Sequence, residues 1–580
     1  MIKDCLEVFK RQLDINGDSL ILDEYVLAEG TYVIVSQKDN IFEMQEPINI
    51  KFDKKSKVID RSINHYEDLC FYEYNSNYLE SNKAIKDKNI FSNNYLTFFI
   101  KKESIYAGKI NNDVIDSYYA ILANPYLKYP KSKAKSYEAY KNIEEELGKV
   151  DIEKVEKIKN WIKENIYKLA EEYKGKDYLK IFFEAEKEEY IREGKRYFVP
   201  NIYNSSDYNK KIGDVILGLP NNNMGMNAKK PFLENKTRSE KVPYLIDNNE
   251  VIIQKKFFDF LLNKANLGKT NIYLNDDEIL ADKNGDILER EFNGIFLRIK
   301  KGKELEIQGS DIITNYNPNL MSKFNYKNML GDVLEEKSEE LYGEFKDRKR
   351  MQVIIDDALF SKYLINNYFT EAKDISLKDD ILKNNLLLSR DSIFNWLYKG
   401  QKVGIDRVLS KTTINIIKGS INKGYLRKAK DQFNLRWSFE YYFNGGRDMG
   451  DIVYDMQLIL RNKINSNDIE KIESDDEFYF ATGQLVNYFL SLSKSKNKPQ
   501  SLLNPFINAK SNKIIKDKLR ALYLKYNYII EQKSKRFNNL YGMIVSYNPS
   551  GEVNQDMILA GYLKNSLIYE KDNKEVKSNE

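Results

Sequence analysis

Four amides between residues 221 and 227 stand just ahead of five cations between residues 229 and 241. Asn221, Asn222, Asn223 and Asn227 precede Lys229, Lys230, Lys236, Arg238 and Lys241. An Asn side chain carries a donor and an acceptor side by side and can pair with a base edge, while Lys and Arg neutralise phosphates. A connecting loop needs breakers, and Pro220, Gly225 and Pro231 supply them. It does not need this density of positive charge beside amides. Two readings stand: a solvated link between domains, and a surface that meets nucleic acid.

Other residue types capable of chemistry are present without their partners. Glu184 and Glu186 follow an apolar run, and Asp356-Asp357 follows Val-Ile-Ile, but no further acid or lysine completes a nuclease pattern. Both pairs read as surface carboxylates. His65 is the single histidine; Ser-His, Cys-His and histidine-metal systems need a histidine within a constellation and several need more than one, so it reads as a surface or capping residue. Gly268-Lys269-Thr270 imitates the end of a phosphate loop, yet Asn263 stands where the first glycine belongs. The stretch from Asp282 to Glu289 imitates a calcium loop, but its glycine is in the fourth position instead of the sixth. Cys5 and Cys70 are the only cysteines, which speaks for a reducing cytoplasm and against a disulfide frame or a cysteine-rich zinc site. No cofactor is expected.

The elements that must position such residues follow from patterning. With 580 residues, 42% hydrophobic and 31% charged, the chain can bury several cores. It has no run of eighteen apolar residues, so no membrane span is expected. The start reads as an amphipathic helix over 1–13, not as a signal or transit peptide. Strands are predicted at Ser19-Leu-Ile-Leu, Thr31–Ser36, Ile48–Phe52, Tyr95–Ile100 and Tyr178–Phe183. Helices are predicted over 61–80, 112–124 and 251–265, with a charged helical arm or hairpin over 135–174. Hairpins marked by Asn284-Gly285 and Asn293-Gly294 are predicted over 270–308. From about residue 330 to 540 the periodicity is helical.

Net charge is only +5, from 92 basic and 87 acidic residues, so partners must be read from segregation. Residues 402–436 hold nine cations, among them Lys411, Lys418, Lys423, Arg427 and Lys428, against Asp406 and Asp431. Residues 494–536 hold twelve against Asp517 and Glu531. There Ile515, Leu519, Leu522 and Tyr526 form one helical face, and Lys513, Lys516 and Arg520 lie on another. Residues 449–477 between them are acidic. A single charge run is usually a solvated face; basic patches separated by an acidic interval suit a phosphate backbone.

Several segments resemble one family. They are Met1-Ile-Lys-Asp-Cys-Leu-Glu-Val-Phe9, Phe91-Ser-Asn-Asn-Tyr-Leu-Thr-Phe-Phe-Ile-Lys-Lys-Glu-Ser104, Pro200-Asn-Ile-Tyr-Asn204, Gly483-Gln-Leu-Val-Asn-Tyr488 and, most specific, the block from Gly218 to Arg238. The chain resembles, from residue 1 to about 565, the large subunit of the type I-B CRISPR surveillance complex, Cascade. Some relatives carry a cysteine-rich zinc element, which two distant cysteines do not carry over.

The resemblance implies a non-catalytic, cytoplasmic subunit that recognises the protospacer-adjacent motif in duplex DNA. It further implies help in R-loop formation, a hold on the displaced strand, and recruitment of the helicase-nuclease, while the guide reads the remaining sequence. The partners so implied are CRISPR RNA, target double-stranded DNA, the Cascade backbone subunits, a handle-end subunit, a small subunit and the helicase-nuclease. Asn222, Asn223, Asn227, Lys229, Lys230, Lys236 and Arg238 are the candidates for motif reading. Lys411, Lys418, Lys423, Arg427, Lys428, Lys513, Lys516 and Arg520 are the candidates for the displaced strand.

The expected fold is α+β: an N-terminal mixed α/β domain with hairpins (1–330), a helical middle region (331–448), and a C-terminal helical bundle resembling the Cascade small subunit (449–580). Gly445-Gly446-Arg447-Asp448-Met449 permits codons for a ribosome-binding site before Met449, so the small subunit can arise by internal translation; a Gly-Gly hinge is the plain alternative. The competing functions are a stand-alone nucleic-acid-cleaving enzyme with a carboxylate site at Asp356, Asp357, Glu184 or Glu186, and an architectural RNA-binding subunit.

Overall fold

Tyr178-Leu-Lys-Ile-Phe-Phe183 has apolar residues on both sides of the strand, and such a strand must be covered on both faces. A computed structural model of the chain shows how this is met. It describes residues 2–570 except 39–40, 53–59, 77–88, 204–207, 221–234, 236, 238, 240–243, 303–304, 332–340, 446–447, 494–499 and 531–533. The described residues form a mixed α/β region followed by a helical region. They fall into two contact units, 1–283 with 294–312, and 284–293 with 313–580.

The first sheet comprises β1 (Gly30–Lys38), β2 (Ile41–Met44), β3 (Ile48–Ile50), β4 (Thr97–Lys101) and β5 (Tyr178–Phe183). Its order is β2-β1-β5-β4, with β3 paired to β1. β1 runs parallel to β5, and β4 antiparallel to it. The longer helices of this unit are α1 (Ile2–Asn16), α2 (Tyr66–Tyr74), α3 (Asn112–Ala123), α4 (Ala134–Leu147), α5 (Ile152–Glu172), α6 (Lys187–Phe198) and α7 (Asn248–Asn266). Phe98 and Phe183, on one face of the sheet, meet Tyr118 of α3 and Trp161 of α5. Phe182, on the other face, meets Tyr72 of α2, which stacks on Tyr190 of α6.

The charged segment over 135–174 is therefore not a solvated arm. It is two helices, and α5 buries Val155, Ile158, Ile162 and Ile166 in the sheet's core while Ile152 stays outside. The charges that suggested an arm occupy its outer face. Ser19-Leu-Ile-Leu22 is also a correction: it is a helical turn after Gly17, whose φ of 62° ends α1. Four apolar residues do not distinguish strand from helix, and burying Ile21 decides the case.

A β-hairpin, β6 (Lys210–Ile212) with β7 (Val215–Leu217), leads into the amide-rich stretch. The second sheet has β8 (Lys269–Leu274), β9 (Ile279–Lys283), β10 (Phe292–Lys301) and β11 (Leu305–Tyr316) in the order β11-β10-β8-β9. Neither Asn-Gly pair closes a hairpin: Asn284-Gly285 makes a turn after β9, which does not pair with β10, and Gly294 lies inside β10. Between β8 and β9 the side chain of Asn275 accepts from the backbone N–H groups of Asp277 and Glu278.

In the second unit β12 (Asn319–Tyr326) pairs with β13 (Gly343–Asp347), which is the last strand among the described residues. The longer helices are α8 (Asp380–Lys399), α9 (Ile405–Asn422), α10 (Leu426–Asn444), α11 (Met449–Asn465), α12 (Asp475–Ser491), α13 (Asn512–Tyr526), α14 (Lys535–Ser546) and α15 (Gln555–Leu563). One core gathers Met329, Leu330, Ile417 and Phe433 with Met449, Phe489 and Leu559. α12 and α15 touch backbone to backbone. A Cβ at Gly483 would overlap the Ile558 carbonyl, and one at Gly561 would overlap the Phe480 carbonyl. Next to this contact Gln484 donates to the Gly561 carbonyl (2.6 Å) and accepts from the Leu567 N–H (2.8 Å), and Asn487 donates to the Tyr562 carbonyl (2.6 Å). The Gly483–Tyr488 segment is thus a helix-joining device.

Candidate nucleic-acid interface

Asn222, Asn223, Asn227, Lys229, Lys230, Lys236 and Arg238 lie outside the described residues; the base of their stretch does not. Gly218 and Ile246 exchange two backbone hydrogen bonds of 3.0 and 3.1 Å, so the segment between them leaves and returns at one point. Tyr203 locks that point. Its ring packs where a Cβ of Gly218 would be, and its hydroxyl, a single donor, lies within hydrogen-bond reach of three acceptors: the carbonyls of Ile216 (3.0 Å) and Ile246 (3.1 Å) and Asn248 Oδ1 (2.8 Å). Pro200–Tyr203 and the start of the block from Gly218, two separated pieces of sequence, meet here.

In the second unit Lys423, Arg427 and Lys428 come together. They line two adjoining cavities of about 440 and 90 Å³ that share Ser361 and Lys428. The helix Arg348–Ile354 continues into a π-helical turn, Ile355–Leu359, and is then arrested. Ser361 and Lys362 follow with φ of 53° and 68°, a conformation that costs a non-glycine residue about 1 kcal/mol or more and needs support. Asp356 supplies it. Its carboxylate accepts from the Leu364 N–H (2.7 Å), and its carbonyl accepts from the Lys362 N–H (2.8 Å). Burial raises the Asp356 carboxyl above its ordinary value, against the pull of the backbone donors. Asp356 is thus buried, not at a helix's surface edge. The helix stops and folds back over it, which an adjacent acid pair does not announce. Glu184 and Glu186 are exposed.

The cations of this groove are largely engaged. Lys428 donates to Ser361 Oγ, and burial lowers its ammonium pKa. Lys423 pairs with Asp379. Asp431, raised by burial, accepts from the Tyr342 hydroxyl (2.7 Å), and Tyr342 stacks on Tyr326 at 4.1 Å. Sequence reasoning counted Asp431 only as an opposing charge and did not single out Tyr342, Ser361 or Lys362. The consecutive left-handed residues have no composition signal.

The other candidates divide in the same way. Lys418 donates to Asn508 Oδ1 (2.8 Å). Lys516 donates to Asn548 Oδ1 (2.7 Å) and to the Val545 carbonyl (3.1 Å). Arg436, counted in the same basic segment, is buried and holds Asp556 through two bonds of 2.8 and 3.0 Å. Lys411, Lys513 and Arg520 are exposed and have no hydrogen-bond or ion-pair partner among the described residues. Met449 is buried at the start of α11, and Asp448, its N-cap, pairs with Lys327 at 2.7 Å.

His65 stands at the N-cap of α2 with φ 61°, its Nδ1 3.8 Å from Asp68. Among the described residues no group of three His, Cys, Asp or Glu is placed to hold a metal ion, and no helix is long and apolar enough to cross a membrane. Comparison with protein-family models, with curated proteins and with solved structures returns no match.

Proposed function

We propose that this chain is the non-catalytic large subunit of a type I-B CRISPR interference complex. In this reading the stretch anchored at Gly218 and Ile246 contacts the protospacer-adjacent motif in duplex DNA. The C-terminal helices hold the displaced strand and offer a docking face to the helicase-nuclease, and residues from Met449 onward resemble the small subunit. The observation that carries the reading is the pinned base: an amide- and cation-rich segment is held at one fixed point by Tyr203, which favours a contact element over a slack linker. The family resemblance and the alternating charge support it, as do the unpaired cations Lys411, Lys513 and Arg520.

Purification of the tagged chain with its genomic neighbours, followed by sequencing of bound RNA, tests the assembly. CRISPR RNA and backbone subunits are expected, and a chain that brings down neither overturns the reading. Motif reading is tested with a randomised motif library: Asn222→Ala with Asn223→Ala is expected to flatten motif preference, a bidentate contact being worth about 1–3 kcal/mol. DNA cleavage by the purified chain with magnesium, without a helicase-nuclease, would replace this reading with the enzymatic one.

A further inference from the structure

Outside these surfaces the first unit holds a cavity of about 380 Å³, within the range that holds small organic ligands. Two helices form its walls with the same motif. α6 presents Ile191 and, four residues on, Lys195; α7 presents Ile252 and, four residues on, Lys256. Residues four apart share a helix face, so each wall is apolar with an ammonium beside it. Asn75, Ser76 and Asn93 close the cavity, and Asn249 is exposed at its margin.

The close seating of α6 makes this space. A Cβ at Gly194 would overlap the Asn75 carbonyl, so only glycine lets the helix lie against the chain there. The polar groups are unequally used. Lys256 is paired with Asp18 at 2.5 Å, and Lys255 lies over the Tyr74 and Phe198 rings and pairs with Asp259. Lys195 has no partner among the described residues. Ser76 is 1% exposed, and its hydroxyl has no hydrogen-bond partner among the described residues. A buried hydroxyl left unsatisfied costs about 1–3 kcal/mol, and a polar ligand removes that cost.

An apolar slot between isoleucines suits a flat heterocycle. Amides at the closed end suit its polar edge, and Lys195 with Lys256 suits a phosphate. We propose that this cavity binds one unstacked nucleotide, base in the isoleucine slot and phosphate at Lys195. The proposal stands on the lining alone and is independent of the reading as a CRISPR subunit. The nucleotide's source is either a free mononucleotide or the end of a strand.

The test is calorimetric titration of the full chain with adenosine 5′-monophosphate, adenosine, and a 5′-phosphorylated oligonucleotide. The monophosphate is expected to bind saturably and more tightly than adenosine. Lys195→Gln is expected to weaken it about tenfold, the loss of one charge-assisted hydrogen bond. Asn249→Trp, at an exposed position, is expected to block the cavity without disturbing the core. Competition by the oligonucleotide assigns the ligand to a strand end, and its absence assigns a free mononucleotide. No saturable binding of monophosphate or oligonucleotide overturns the proposal. So does binding indifferent to both Lys195→Gln and Asn249→Trp, or adenosine binding equal to the monophosphate.

Discussion

The ammonium of Lys180 lies 2.6 Å from the carboxylate of Glu73, and both side chains are almost fully buried. Lys180 is in the middle of β5, where its cross-strand neighbours Tyr32 and Phe99 place their rings 5.2 and 5.3 Å from the charge. The Tyr32 hydroxyl gives Glu73 a second donor at 2.9 Å. A buried pair so satisfied is tolerated, but half of one is not.

Lys180→Met is therefore expected to lower stability by about 3–5 kcal/mol, and the double variant Lys180→Met, Glu73→Leu to recover much of that. Urea unfolding of the wild type and the two variants checks this. Equal loss in the single and double variants would show that the pair itself contributes most of the stability.

Gly483→Ala and Gly561→Ala should each destabilise the helical unit by about 1–3 kcal/mol, the usual range for overpacking. At Gly542, by contrast, a Cβ meets nothing within 4 Å. Gly542→Ala is the control, and it should leave the thermal midpoint unchanged or raise it.

Asp356 gives a pH signature. Its folded pKa lies above the ordinary 3.8, so the carboxyl's favourable contribution is complete below that value and is lost as pH rises through the folded pKa. Asp356→Asn keeps an acceptor for the Leu364 N–H and does not titrate. The stability of wild type relative to Asp356→Asn is expected to fall as pH rises from below 3.8 through the folded pKa. Urea midpoints at several pH values read it, and a constant difference would refute the sign.

Burial pushes the thiol of Cys5 up to about 11 and that of Cys70 up to about 12. At pH 8 neither carries appreciable thiolate, the reactive form. Iodoacetamide should leave the native chain unmodified and add two carbamidomethyl groups after denaturation, as intact mass will show.

Cations within one basic patch should separate into two kinds. Replacing Lys411, Lys513 and Arg520 together by Gln is expected to lower the slope of log affinity against log salt by about 2 on single-stranded DNA, with little loss of stability. Arg436→Gln is expected to do the reverse: a loss of about 3–5 kcal/mol from the stranded Asp556, with the slope unchanged.

That division marks what the chain's patterning could and could not reveal. Periodicity placed the buried face of α13, because Ile515, Leu519 and Leu522 recur at helical spacing. It could not tell Arg436, neutralised from 120 residues away, from Lys411, which faces water. Charge counts are local, and ion pairs are tertiary. For the same reason the outer charges of α5 hid its buried isoleucines, and Asp356 passed for a surface acid until the chain folded back over it. The Asn-Gly pairs misled because neither lies between two paired strands: β9 and β10 both pair with β8 and not with each other, and Gly294 is inside β10. Tyr203 and Gly218 were each visible as segments with a distinctive wording, but not as partners.

The core that joins Met329, Leu330 and Ile417 to Met449 and Leu559 sets a condition on any polypeptide begun at Met449. Such a fragment would keep the Gly483–Gly561 seam, and with it the pairing of α12 and α15. It would also be born with an uncovered greasy flank and with Asp556 deprived of its guanidinium. It could not live comfortably as a free monomer. Its solubility would depend on a neighbour that repaired the flank, so folding and assembly would be one event.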